Sequence, residues 1–170
     1  GVLHALTGAS GAISLHIPWD IPEDSKGIRE LAASLGLVFD AVNSNTFQDQ
    51  KGASFSYRHG SLSNTDAHVR AEAVEHNLEV IRIGEKLGSK SLTVWLADGS
   101  NFPGQTTLNR DLSLTRESLT AIYAGLSEDW KIFREYKPNE PNFFITVIPD
   151  WGTLFTLANG VGPNAYPLVD

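Results

Sequence analysis

The stretch REYKPNEP, residues Arg134 to Pro141, sets a carboxylate and an ammonium two positions apart, on Glu135 and Lys137, straight after the apolar run WKIF. In an extended chain, side chains two apart share a face. Pro138 and Pro141 then keep a helix from starting at once. A strand carrying Trp130 and Ile132 therefore ends by presenting an acid and a cation together. The final residue, Asp170, follows another apolar run, AYPLVD, so a second carboxylate falls at the end of the next strand. If those strands pair, both acids face one mouth, where a hard divalent ion such as Mg²⁺ or Mn²⁺ would relieve their repulsion. Two solvated strand-end carboxylates have the same spacing. Lys137 is either half of a surface ion pair or a cation that polarises a substrate oxygen beside a metal.

Two further residues of interest stand at strand ends. His16 closes AISLHI and precedes IPWD; it reads as a core histidine or as a proton shuttle, with Asp20 or Asp40 near enough to orient it. Trp95, in TVWLADGSNFPGQ, is either core or an apolar wall for a sugar face. His68 and His76 fall inside a long helical stretch, where exposure is expected. No G-x-S-x-G elbow occurs, and no Ser-His-Asp set stands out.

The elements that must position these groups follow from period. AISLHI, residues 12–17, is a strand; SKGIRELAASLGL carries Ile28, Leu31, Ala32 and Leu35 at helical spacing, with Gly36 as a stop. LVFDAV, residues 37–42, is the second strand. After a polar loop, the cluster Asn64-Thr65-Asp66 caps a helix that runs to about Leu87 with Val69, Ala73, Val80, Ile83 and Leu87 on one side, and Gly88 ends it. SLTVWL is the third strand. NRDLSLTRESLTAIYAGL is a helix with a stripe of Leu112, Leu119, Ile122, Tyr123 and Leu126. WKIFRE is the fourth strand, DWGTLFTLANGVG a weaker helix, and AYPLVD the fifth strand.

Apolar strands that alternate with helices imply a parallel sheet with covered faces. Glu135 and Asp170 are 35 residues apart (170 − 135), close to the roughly 30 per unit of an eight-fold barrel. The fold expected is thus α/β, a partial (β/α)₈ TIM barrel of about five consecutive βα units. An open doubly wound sheet is the alternative, but no Gly-rich phosphate fingerprint follows the first strand. Residues 1–170 read as a single domain. With Gly1 at one end, no Met, and an apolar run at the other, they read as the central part of something longer.

Composition excludes several classes. There is no run of about 18 uncharged apolar residues to span a bilayer and no basic segment of a signal peptide near the start. Zero cysteines exclude disulfides and thiolate sites. Thirteen Lys and Arg against twenty Asp and Glu, a net charge of −7, make nucleic acid an unsuitable partner. The balance suits a cytoplasmic protein that binds cations or neutral polar molecules.

EYKPNEP resembles the E-x-K-P-N-E-P signature of the xylose isomerase superfamily, and SLHIPWD, FDAVNSNTFQDQ, SLTVWLADGSNFPGQ and the terminal LVD resemble, in order, the broad-specificity bacterial L-rhamnose isomerases. The resemblance implies a (β/α)₈ barrel, usually a homotetramer, that interconverts aldoses and ketoses, L-rhamnose and L-rhamnulose among them, by a metal-assisted hydrogen shift between C1 and C2. It implies divalent metal, commonly Mn²⁺, with Co²⁺, Mg²⁺ or Zn²⁺ as substitutes. It assigns Glu135 and Asp170 to the metal, Lys137 and His16 to catalysis, and Trp95 and Trp19 to the sugar. The sequence departs from the pattern at Tyr136, where the xylose enzymes usually carry proline, and alternation turns this residue away from the pocket. The family's later ligands would lie beyond Asp170. The alternatives are a single-metal ketose 3-epimerase, a glycoside hydrolase with paired acids, and a barrel fragment without activity of its own.

Overall fold

The computed structural model describes residues 1–102, 104–137 and 145–169. A short helix, α1 (Val2–Thr7), precedes β1 (Ala12–Ile17) and α2 (Ser25–Ser34); then come β2 (Val38–Asn45), α3 (Ala67–Leu87) and β3 (Ser91–Trp95). A two-residue strand, β4 (Gly99–Ser100), is followed by α4 (Leu108–Tyr123), β5 (Lys131–Glu135), a second short strand β6 (Ile145–Thr146), α5 (Trp151–Asn159) and β7 (Ala165–Leu168). Five strands form one sheet in the order β1-β2-β3-β5-β7, every neighbouring pair parallel. β4 and β6 pair antiparallel on their own. The strand order never reverses, as it would at the switch point of a doubly wound sheet.

All the main strands bury the same face. Ile17, Val42, Leu92, Val94, Ile132 and Ala165 join one core cluster with Val69, Ala73, Val80 and Ile81 of α3, Leu119 and Ile122 of α4, and Leu154, Leu157 and Ala158 of α5. Each fully buried Val, Leu or Ile among them contributes about 1.5–3 kcal/mol. The alternate residues, His16, Asn43, Thr93, Trp95, Phe133 and Glu135, belong to the opposite face. That face carries the candidate chemistry. Tyr136 packs against the helix-side core, as alternation requires.

A bulge makes this arrangement possible. Ile13 pairs with Phe39 but Leu15 pairs with Val42, so β2 carries one extra residue. Phe39 and Val42, three apart, can then both be buried toward the helices, and Asn43 falls opposite His16. The longest helix is defined as its sequence predicts. The Asp66 side chain accepts from His68 N–H at its start, and Gly88 closes it at φ 82°. Within it, Gly84 lets α3 press on the sheet: a Cβ there would come 2.7 Å from Trp130 and 2.9 Å from Val42.

Two expectations need correcting. On α2 only Ala32 is buried; Ile28 and Leu31, and Leu35 at its C-cap, are exposed, because α2 turns only one face onto β2 and α3. His76 is not exposed. It is buried on α3, turned inward to the end of β2. No helix among the described residues is long and apolar enough to cross a membrane.

Candidate active site

The C-terminal ends of the strands bring the site together through register. Asn45, Trp95, Glu135 and Leu168 form one row across β2, β3, β5 and β7, and His16 lies opposite Asn43 at the end of β1. Beyond β1 the chain turns back on itself: Asp20 N–H donates to His16 O at 2.9 Å, and His16 N–H donates to Asp20 Oδ2 at 2.8 Å. This turn sets the Trp19 ring edge-on to His16, 5.8 Å between centroids. Phe47, two residues past β2, fills the middle. Its ring lies 6.3 Å from His16, 6.2 Å from Trp19 and 4.3 Å from Trp95.

The charged end begins at Trp95. Lys137 Nζ sits 5.6 Å from the centre of a Trp95 ring and 2.9 Å from Glu135 Oε1. An ammonium held over an indole face is attracted by the ring quadrupole as well as by the carboxylate. The result is a continuous surface: imidazole, two aromatic rings, the Trp95 indole, then an ammonium–carboxylate pair. Such a surface can stack the apolar face of a polar molecule and offer its hydroxyl groups a donor and an acceptor.

Of the residues singled out in the sequence, the structure brings together His16, Trp19, Trp95, Glu135 and Lys137. Asp170 lies outside the described residues; Leu168, two positions earlier, is the register partner of Glu135. Neither aspartate proposed for His16 meets its ring in a hydrogen bond. Asp20 gives its carboxylate to the main chain of His16, and Asp40 sits well back along β2, where its carbonyl accepts from Ser89 Oγ. His68 is exposed and stacks on Phe55. Phe47 was missed by sequence reasoning, although an aromatic residue directly past a strand end was the available signal.

The loop between β2 and α3 is pinned under this surface by carboxylates that accept main-chain N–H groups. Asp49 accepts from Tyr57 N–H at 2.6 Å, Glu72 from Ser54 N–H at 3.0 Å, and Asp98 from both Ser61 and Ser63 through their amides and hydroxyls. Burial, helped by Glu72, Asp49 and Asp98, pushes the Tyr57 hydroxyl up to about 12. Under the row of strand ends lies Arg134, fully buried, with Nη1 donating to Val94 O at 3.0 Å. Burial pulls its guanidinium down to about 10 against the opposing charges of Asp98 and Glu135, so it stays cationic at neutral pH.

Metal binding needs more donors than this. Among the described residues no group of three or more His, Cys, Asp or Glu side chains converges, so the carboxylate of Glu135 does not there complete a coordination sphere. The described residues by themselves do not make a metal centre.

No family model matches the chain. It is 52% identical to a "probable sugar isomerase" of Rhizobium meliloti and 51% identical to one of Mesorhizobium japonicum, in each case over 99% of the chain and 39% of the relative. A xylose isomerase of Thermus thermophilus is 29% identical over 86% of the chain and 41% of its own length. The chain thus spans about two fifths of the length of these relatives. Among solved structures, a D-psicose 3-epimerase in the presence of D-fructose superposes with a TM-score of 0.69 at 15% identity, covering 92% of the chain and 52% of the epimerase. The IOLI protein with a bound zinc atom superposes at 0.63 and 15% identity, covering 91% of the chain and 50% of its own. At that identity the likeness is one of fold: the five-stranded sheet is a partial TIM barrel of the xylose isomerase-like kind. In sequence the chain is similar, over nearly all of its own length, to these two proteins named probable sugar isomerases.

Proposed function

We propose that the whole protein of which these residues are part is a metal-dependent aldose–ketose isomerase acting on L-rhamnose and related sugars. The observation that carries this reading is the joined surface itself, in which Lys137 binds Glu135 and covers Trp95 while Phe47 links Trp95 to His16 and Trp19. Trp95, Trp19 and Phe47 take the apolar face of the sugar. Lys137 places its ammonium beside the oxygens where negative charge gathers when hydrogen moves between adjacent carbons. His16, partly walled by aromatic rings, takes or returns a proton at a ring or hydroxyl oxygen. Glu135 and Asp170 supply two oxygen ligands to a divalent ion, Mn²⁺ by preference with Co²⁺, Mg²⁺ or Zn²⁺ as substitutes; further donors come from parts of the protein outside this chain. Such an ion, once bound, polarises the sugar's oxygens.

The apolar residues exposed at the flanks, Val2, Leu3, Leu31, Trp151 and Phe155, support the view that residues 1–170 are the central part of a larger barrel. The fold of the D-psicose 3-epimerase favours a second reading, a ketose 3-epimerase. One assay separates them. The complete protein, stripped with EDTA and restored with Mn²⁺, is given L-rhamnose and, separately, a ketohexose. Metal-dependent formation of L-rhamnulose supports the isomerase, inversion at C3 with no aldose formed supports the epimerase, and turnover unaffected by EDTA rejects both.

A further inference from the structure

We infer that His76, a residue of α3, is a positioning residue for the aromatic wall, an inference that rests on the sugar site proposed above. Its Nε2 accepts the main-chain N–H of Asn45 at 3.0 Å, across 31 positions of sequence. Both partners are buried, His76 at 7% exposure and Asn45 at 1%. Asn45 is the last residue of β2 and the last register partner of β3, so beyond it the ladder ends. A buried N–H at that point needs an acceptor from elsewhere. The imidazole supplies it in the tautomer that leaves Nε2 unprotonated, with the proton on Nδ1.

What is held there matters for the site. Asn45 O accepts from Gln50 Nε2 at 2.7 Å, Thr46 Oγ1 donates to Trp95 O at 3.0 Å, and the next residue is Phe47, whose ring meets Trp95 at 4.3 Å. Three consecutive residues are therefore fixed in turn, by His76, by the Trp95 carbonyl and by the Trp95 ring. Neighbouring carboxylates are committed elsewhere: Glu72, one turn earlier on α3, accepts from Ser54 and Phe55, and Asp49 accepts from Ser56 and Tyr57. Without the imidazole the strand end loses its acceptor, and Phe47 loses the anchor two residues before it.

The test uses His76→Leu and His76→Gln in the complete protein. Leucine fills the space without an acceptor, whereas the glutamine amide oxygen reaches close to the place of Nε2. Two readouts are taken: hydrogen exchange at the Asn45 amide, and KM against kcat for the sugar. His76→Leu is expected to speed Asn45 exchange about tenfold and to raise KM about tenfold with kcat within about threefold, and His76→Gln to recover most of both. An unchanged Asn45 exchange rate in a folded His76→Leu protein overturns the inference, and so does a kcat loss without a KM change. A His76→Gln protein as impaired as His76→Leu also overturns it. If His76→Leu does not fold, His76→Gln decides alone, since near-wild-type exchange and KM are required of it. If the wild-type protein turns over no sugar, the site reading fails, and Asn45 exchange still settles whether His76 holds the strand end.

Discussion

Acid should weaken this fold through His76 in a defined window. The imidazole is buried and neutral, accepting Asn45 N–H on Nε2, and burial lowers its pKa from 6.5 to about 4. In the unfolded chain the same ring takes up a proton near pH 6.5. Between about pH 6.5 and about 4 the unfolded state therefore binds the extra proton, so stability falls as pH falls. The contribution is fully present above about 6.5 and is lost progressively down to about 4. At about 1.4 kcal/mol for each pH unit, that interval is worth about 3 kcal/mol. The carboxylates of the protein also titrate in this range, so the wild type alone cannot isolate the effect.

Chemical denaturation of the wild type and His76→Gln at about pH 7.5, 6, 5 and 4 makes the separation. The glutamine keeps an acceptor but has no proton to gain. The stability of the wild type relative to His76→Gln is expected to drop by about 3 kcal/mol across the series. A difference that stays level within about 0.5 kcal/mol, the usual scatter of neutral substitutions, would refute the reasoning. It would mean that the ring is hydrated, or already charged, in the folded protein.

Other perturbations test other parts. Asp98→Ala leaves the buried amides of Ser61 and Ser63 without an acceptor and should cost about 3 kcal/mol in a denaturation midpoint; a loss below about 1 kcal/mol would mean that this loop is not pinned there. Gly84→Ala puts a methyl group 2.7 Å from Trp130 and 2.9 Å from Val42, and should destabilise by about 1–3 kcal/mol instead of gaining the usual helical preference for alanine. Glu135→Gln in the complete protein should weaken Mn²⁺ binding by titration calorimetry and lower L-rhamnose turnover at least about 100-fold. Stability should move by less than about 1 kcal/mol, since the pair with Lys137 is partly exposed.

How much of this was legible depended on how local each cause was. α3 announced itself through an apolar stripe bounded by Asp66 and Gly88, and both caps sit where the sequence puts them. The five main strands were legible because each is apolar on the face that packs on the helices. The bulge in β2 was not: LVFDAVNSN shows Phe39 and Val42 three apart, a spacing that a helix turn gives and a regular strand does not, and only β1 laid beside it reveals the extra residue. His76 looked like an ordinary helix-surface residue for the same reason. Its partner is a main-chain amide 31 positions away, and amides leave no mark in a sequence. Two-residue strands such as β4 and β6 are likewise set by pairing rather than by composition. The row of Asn45, Trp95 and Glu135 was readable only as three separate strand ends; register makes it one site.

The acidity of the chain invites a simple reading, a protein charged to attract cations, and the structure argues against taking it that far. The carboxylates of Asp20, Asp24, Asp49, Asp66, Glu72, Asp98 and Asp150 each accept main-chain N–H groups at turns, loop closures or helix starts. A carboxylate used in this way is an architectural acceptor, and its charge is offset by amide dipoles and helix ends. Glu135 differs in kind. Its carboxylate meets, at a strand mouth, an ammonium that also lies over the Trp95 ring. A net charge of −7 therefore says little about affinity for metal or sugar. What makes Glu135 informative is its company at the strand mouth, an ammonium that also lies over an indole, rather than its charge.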